Sequence, residues 1–213
     1  MSRRIGPNLF GSLGHSPSFN LLQLEKDDAM NATENSLLQN LKLPAMGQLG
    51  IVVGKMGPAI SHYSNLLGIR PWYRAKIVES DIHYRGNPIE LELDIAVGYS
   101  GGLQFELIEV IRGEDNIYTE LIDSRGQGIH HIGFVVSGIS ERIEIFKQSG
   151  FQPLQHGTLT TRGKAITRFA YFDTLDQFGY ITELIQTTLF GINVGMSRWM
   201  MKAGKLIGDV ETI

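Results

Sequence analysis

Gln48-Leu-Gly-Ile-Val-Val53 and His131-Ile-Gly-Phe-Val-Val136 are one phrase written twice. Each opens on a polar residue, reaches a glycine two positions later and ends in β-branched residues, as a half-buried strand does. A stretch with helical spacing follows each, Met56 to Leu67 in the first copy and Ile139 to Gln148 in the second. Gly68 and Gly150 close these stretches, where a left-handed helix cap is expected. The span from Gln48 to Gly68 exceeds that from His131 to Gly150 by one residue, so a single indel separates the copies. Further alternating segments complete each unit: Ala75 to Val78, Ile89 to Val97 and Leu103 to Val110, then Gln155 to Thr160, Ala165 to Phe172 and Gly179 to Gln186. Gly101-Gly102 and Thr174 to Phe178 supply turns between them. Each copy is therefore predicted as β-α-β-β-β, and two copies make one α+β domain.

Working outward, the modules span about 46–112 and 128–187 within a domain at 44–187. Residues 1–43 form an N-terminal extension, rich in Ser, Asn and Gly, in which Leu21 to Leu41 could form an amphipathic helix that packs on the domain or on a partner. Residues 188–213 are predicted as a C-terminal amphipathic helix, its apolar spacing running from Thr187 to Ile207 through Leu189, Ile192, Met196, Trp199, Met200 and Ala203. Covering an open sheet edge or packing across a homodimer would suit that helix.

The 213 residues carry 19 Lys and Arg against 22 Asp and Glu, a formal charge of −3, which supplies no basic field for a nucleic acid. There is no cysteine, so disulfides, thiolate zinc sites, thiolate-held iron–sulfur clusters and a cysteine nucleophile are excluded. No apolar run approaches the roughly 20 residues needed to cross a bilayer, and the first 20 residues lack an apolar core leading to a small-residue cleavage site, so no membrane partner and a cytoplasmic location are expected.

Residues two apart on a strand share a face, so Gln48 and His131 occupy equivalent places facing the same way as Gly50 and Gly133. The last strands add a second pair, because Leu103-Gln-Phe-Glu106 aligns with Tyr180-Ile-Thr-Glu183. A carboxylate in mid-strand is costly to desolvate unless paired, hydrogen-bonded or bound to a cation. Gln48, Glu106, His131 and Glu183 together suit a hard or borderline divalent cation. His130 is a rival to His131, but strand neighbours face opposite sides and the repeat selects His131. Glu109 is a rival to Glu106, yet parity places it on the other face, with Gln186 as its equivalent.

These residues, with His62-Tyr-Ser-Asn-Leu-Leu-Gly68, Phe105-Glu-Leu-Ile-Glu109 and Gly128-Ile-His-His-Ile-Gly-Phe-Val-Val136, resemble the vicinal oxygen chelate superfamily over about residues 45–187. The resemblance implies a cup-shaped, partly open mixed sheet, with helical extensions at both ends. It implies one divalent metal ion (Zn, Ni, Co, Mn or Fe) held by Gln48, Glu106, His131 and Glu183, and a homodimer acting on a small molecule. By analogy with glyoxalase I and methylmalonyl-CoA epimerase, the expected chemistry is that of a metal-dependent lyase or isomerase. It would remove a proton next to a carbonyl or thioester through a metal-stabilised enolate, with Glu183 as base and Glu106 as a second catalytic carboxylate. A ring-cleaving dioxygenase is one alternative, although it usually wants two His and one Glu about iron. A non-catalytic binding protein of the bleomycin-resistance type is another. The basic and aromatic cluster Arg70, Tyr73 and Arg74, with Arg168, could line the cup and hold an anionic substrate tail.

Overall fold

The computed structural model describes residues 42–113, 115–206 and 208–213, together with Gln39. The expected extension over 1–43 and its helix therefore lie outside the described residues, apart from Gln39 and residues 42 and 43. The first module runs β1 (Gln48–Val52), α1 (Met56–Leu67), β2 (Tyr73–Ala75), β3 (Ile77–Tyr84), β4 (Asn87–Ile89), β5 (Glu92–Ser100) and β6 (Leu103–Arg112). A connecting helix, α2 (Ile117–Arg125), leads to β7 (Gly128–Val135), α3 (Ile139–Gln148), β8 (Pro153–Thr161), β9 (Ala165–Phe172), the single turn α4 (Leu175–Phe178) and β10 (Ile181–Leu189). After them come β11 (Ile192–Asn193), α5 (Arg198–Leu206) and β12 (Val210–Thr212).

The strands of the described residues join one mixed sheet in the order β12-β2-β5-β6-β1-β7-β10-β9-β8-β3-β4, with β11 on β10. Each module contributes four neighbouring strands, and the two meet where β1 and β7 pair antiparallel. The single strand expected over Ala75 to Val78 is instead divided. β2 hydrogen-bonds β5 near one end of the sheet, whereas β3 pairs with β8 near the other. Only Lys76 separates them, so the sheet must curl until its ends come together, forming a curled half-barrel. The Lys76 N–H donates to the Asp209 carbonyl at 3.1 Å, and its carbonyl accepts from the Arg162 N–H at 3.0 Å, which holds the crossing in place.

Strand alternation sorts the core onto two faces. On the outer face α1 covers Ile51, Phe105 and Leu107, and α3 covers Phe134, Phe172 and Leu184, with the Phe146 and Phe172 rings stacked at 4.2 Å. Burying a side chain of this size contributes about 1.5–3 kcal/mol. On the concave face Val52, Ile108, Phe169 and Tyr171 pack against Ile117, Tyr118 and Leu121 of α2. Further along that face, Tyr73, Val97 and Tyr99 pack under Val210.

Glu109 and Gln186, the repeat-equivalent pair on the other face, have a shared structural task. Glu109 Oε2 accepts from the Met56 N–H at 2.7 Å, and Gln186 Oε1 accepts from the Ile139 N–H at 3.0 Å. Each β strand thus caps the first turn of its own module's helix, whose own N-cap residues, Lys55 and Gly138, make no side-chain cap.

The C-terminal segment corrects the expectation of one helix across residues 188–213. Thr187 to Leu189 prolong β10 against β9, and Phe190, Gly191 and Gly195 adopt positive φ (50°, 79° and 63°), which an α-helix does not accept. Among the described residues of this segment only Arg198–Leu206 is helical, and the chain then returns to the sheet as β12 on β2.

Candidate metal centre

The register across β6, β1, β7 and β10 creates two rows. Glu106, Gly50 and His131 lie side by side in one, and Gln48, Gly133 and Glu183 in the other. The module repeat exchanges the rows, so in each a glycine separates a carboxylate from an imidazole or an amide. Those glycines are required by space. A Cβ on Gly50 would fall 1.8 Å from His131 Cε1, and one on Gly133 would fall 2.9 Å from Gln48 Cβ and 3.0 Å from its Oε1. His131 and Gln48 each lie over the glycine of the opposite module.

All four side chains are nearly sealed from solvent: Gln48 is 1% exposed, Glu106 7%, His131 0% and Glu183 4%. His131 Nε2 stands 3.0 Å from Glu183 Oε2 and 3.6 Å from Glu106 Oε2. One ligand atom from each of these three residues falls within 4.8 Å of the others. The 3.0 Å separation is short enough for a hydrogen bond, but the atoms are not aligned for one. His131 Nε2, Glu183 Oε2 and both polar atoms of Gln48 are buried without a hydrogen-bond partner. Bonds of about 2.0–2.2 Å to a common cation place its ligand atoms roughly 3–4 Å apart, the spacing of His131 Nε2 from both carboxylates. Orphaned acceptors at that spacing fit a divalent cation, with Glu106, His131 and Glu183 as ligands and Gln48 beside them.

The electrostatics agree. Burial opposes a charge on His131, yet the Glu183 and Glu106 carboxylates outweigh it and raise its pKa to about 9. Burial pushes the Glu183 carboxyl up, the charge on His131 pulls it back and Glu106 pushes it further up; the net direction is upward. The site therefore calls for positive charge, which a proton on His131 supplies when no metal is bound.

Parity predicts that His130 points away, and here the structure departs from the sequence reading. The β1–β7 register passes from Gly50 opposite His131 to Ile51 opposite Ile129, so His130 is the extra residue of a β-bulge. The bulge turns its imidazole inward, where it is 3% exposed. His130 Nδ1 lies 2.9 Å from His131 Nδ1, and its Nε2 lies 3.2 Å from the Ile117 carbonyl. Burial and the charge on His131 push its pKa down to about 3. Two phenols complete the enclosure. The Tyr171 ring is 5.0 Å from that of His131, and the Tyr118 hydroxyl donates to the Tyr171 hydroxyl at 3.0 Å. Burial first, then the Glu183 charge, raises both phenols well above their usual range, so they are neutral donors.

The cluster Arg70, Tyr73, Arg74 and Arg168 is not brought to this centre. Arg70 bonds the Ser64 carbonyl and Asn65 Oδ1 at the end of α1, and Arg74 is ion-paired with Asp94 at 2.8 Å. Arg168 pairs in register with the outward-facing Gln186 and bonds Ser140 of α3, in an open cleft of about 690 Å³ on the outer face. Tyr73 does face inward, but it is packed beneath Val210.

The curled sheet, the duplicated module and the carboxylate–imidazole centre define an α+β protein of the vicinal oxygen chelate superfamily. The family described as Glyoxalase/Bleomycin resistance protein/Dioxygenase superfamily matches residues 47–171, and the chain belongs to it. The uncharacterized protein YqjC of Bacillus subtilis (strain 168) is 22% identical over 141 residues, 66% of this chain and 91% of that one. Among solved structures, methylmalonyl-CoA epimerase from Mycobacterium tuberculosis is 19% identical with a TM-score of 0.48, over 67% of this chain and 87% of that one. Hypothetical protein BH1468 from Bacillus halodurans C-125 is 21% identical with a TM-score of 0.48, over 70% of this chain and 97% of that one.

Proposed function

We propose that this protein is a metal-dependent lyase or isomerase that moves a proton next to the carbonyl of a small carbonyl compound or thioester. The observation that carries the reading is the set of buried, unpartnered ligand atoms on His131, Glu183 and Gln48 beside Glu106. A divalent cation bound there would supply a Lewis acid for the carbonyl oxygen. Glu183, buried beside His131 and with its carboxyl pushed above the ordinary carboxylate value by burial, takes the proton from carbon. Glu106, in the equivalent row, holds or returns it. The buried Tyr118 and Tyr171 rings exclude water from this space.

The near-complete burial of the four residues favours one competing reading, a cation that ties the two modules together without reacting. Reconstitution with Zn, Ni, Co, Mn or Fe, followed by deuterium uptake from solvent into a panel of carbonyl compounds and acyl thioesters, separates the two. The proposal expects exchange in the loaded protein and its loss in Glu183→Gln. Stoichiometric metal that raises Tm, with no exchange in any substrate, would favour the structural cation. Oxygen consumption with an iron-loaded protein would favour the dioxygenase alternative.

A further inference from the structure

We propose that His130 is a positioning residue that fixes the imidazole of His131 for the cation and ties that imidazole to the docking of α2. The inference rests on the metal reading above, and it follows from which atoms can donate. The Ile117 carbonyl only accepts, so the His130 nitrogen facing it, Nε2, carries the proton. In a neutral imidazole the other nitrogen, Nδ1, is then bare and must accept. Its neighbour at 2.9 Å, His131 Nδ1, must therefore be the donor. With its Nδ1 proton committed backwards, a neutral His131 has its lone pair on Nε2, the atom 3.0 Å from Glu183 and 3.6 Å from Glu106. His130 thus selects the tautomer that can bind a cation and holds the ring plane.

The far end of this relay is anchored in α2. Ile117 is the first residue of that helix, and its N–H donates to Gln155 Oε1 on β8 at 3.2 Å while its carbonyl receives His130. Asn116 caps the same turn, accepting from the Tyr118 and Thr119 N–H groups. The helix that closes the concave face and the ring that meets the cation therefore share two consecutive hydrogen bonds. No comparable relay backs Gln48, the counterpart of His131, because its preceding residue is Gly47.

The test uses His130→Phe, which keeps a ring of similar size but no donor or acceptor, and His130→Gln, which can restore both bonds. Nitrogen-15 long-range correlation spectra of metal-free wild type should show His130 as a neutral imidazole protonated on Nε2 alone. Zinc-loaded wild type should show His131 protonated on Nδ1 and metallated on Nε2. Chelator competition should find zinc affinity reduced 10–100-fold in His130→Phe, in the usual range for such orienting partners, and partly recovered in His130→Gln. Circular dichroism of the metal-free variants checks that the fold persists. Wild-type affinity in folded His130→Phe, or metal found on His131 Nδ1 or on His130, would overturn the inference. If wild type binds no divalent metal, the functional reading fails with the affinity claim, while the metal-free spectra still decide the hydrogen bonds.

Discussion

Gly50→Ala should remove cation binding while leaving the fold in place. The added methyl would stand 1.8 Å from His131 Cε1, 2.0 Å from Nε2 and 2.4 Å from Nδ1. Ordinary contacts between such atoms are about 3.5 Å, so ring and strand must separate by roughly 1.5 Å. Retreat is blocked, because His130 Nδ1 stands 2.9 Å behind the ring and Tyr171 packs beside it. A metal–nitrogen bond tolerates only about 0.2 Å of displacement. The ligand is therefore lost to the cation, and affinity should fall by more than 100-fold. Overpacking of this kind costs about 1–3 kcal/mol, measured by urea unfolding of metal-free protein. Gly57→Ala, in the first turn of α1 with nothing within 4 Å, is the control; it should gain up to about 1 kcal/mol from helix propensity and bind metal normally. Zinc bound by folded Gly50→Ala as tightly as by wild type would refute the assigned geometry.

Protons and metal should compete. Because the His131 pKa is raised to about 9, binding of each cation below that pH displaces a proton, and affinity should rise about tenfold per pH unit between pH 6.5 and 8.5. Calorimetry in buffers of different ionisation enthalpy measures the released proton, and a pH-independent affinity would refute the exchange. Metal-free protein should lose stability as pH rises from 6.5 through 9, since the folded state there keeps a proton that the unfolded state has released; Tm against pH reads this, and His131→Gln should abolish the decline. Glu109→Ala removes the carboxylate that caps α1 at the Met56 N–H and pairs with Lys55, at a cost of about 1–3 kcal/mol in urea unfolding, with metal affinity unchanged.

The features set by strand period were legible in the sequence and those set by tertiary closure were not. Alternation, read together with the repeat, put Gln48, Glu106, His131 and Glu183 on one face and Glu109 on the other, because burial on a sheet follows a period of two. Consistent use of the same rule would have excluded Arg168, which shares a face with Ala170 and Phe172 against α3. The rule failed at His130, where a bulge adds a residue and reverses parity, and only pairing with β1 reveals that. The connecting helix α2 was missed because its buried residues fill the concave side of the sheet and make no clear apolar stripe, although Asn116 and Thr119 form a capping box that could have marked its start. The division of the second strand at Lys76 answers to the meeting of the two sheet ends, which no local pattern encodes.

The two halves of the proposed centre are related by duplication but not equivalent, and the difference follows from what each side chain would need to hold a cation. An amide has a fixed acceptor oxygen and requires no tautomer to be chosen, whereas an imidazole presents a lone pair on the correct nitrogen only if the other is kept protonated. Gln48 follows Gly47, where a Cβ would press within 3.2 Å of Val135 Cγ2, so a side chain there would crowd β7. His131 follows the bulged His130, which has space on the concave side and a helix carbonyl to bond. The residue that needs orienting stands where the bulge and α2 can orient it, and the residue that does not stands where there is little room for a partner. Exchanging the ligands, with His at 48 and Gln at 131, would keep the donor set but place the imidazole on the unsupported side.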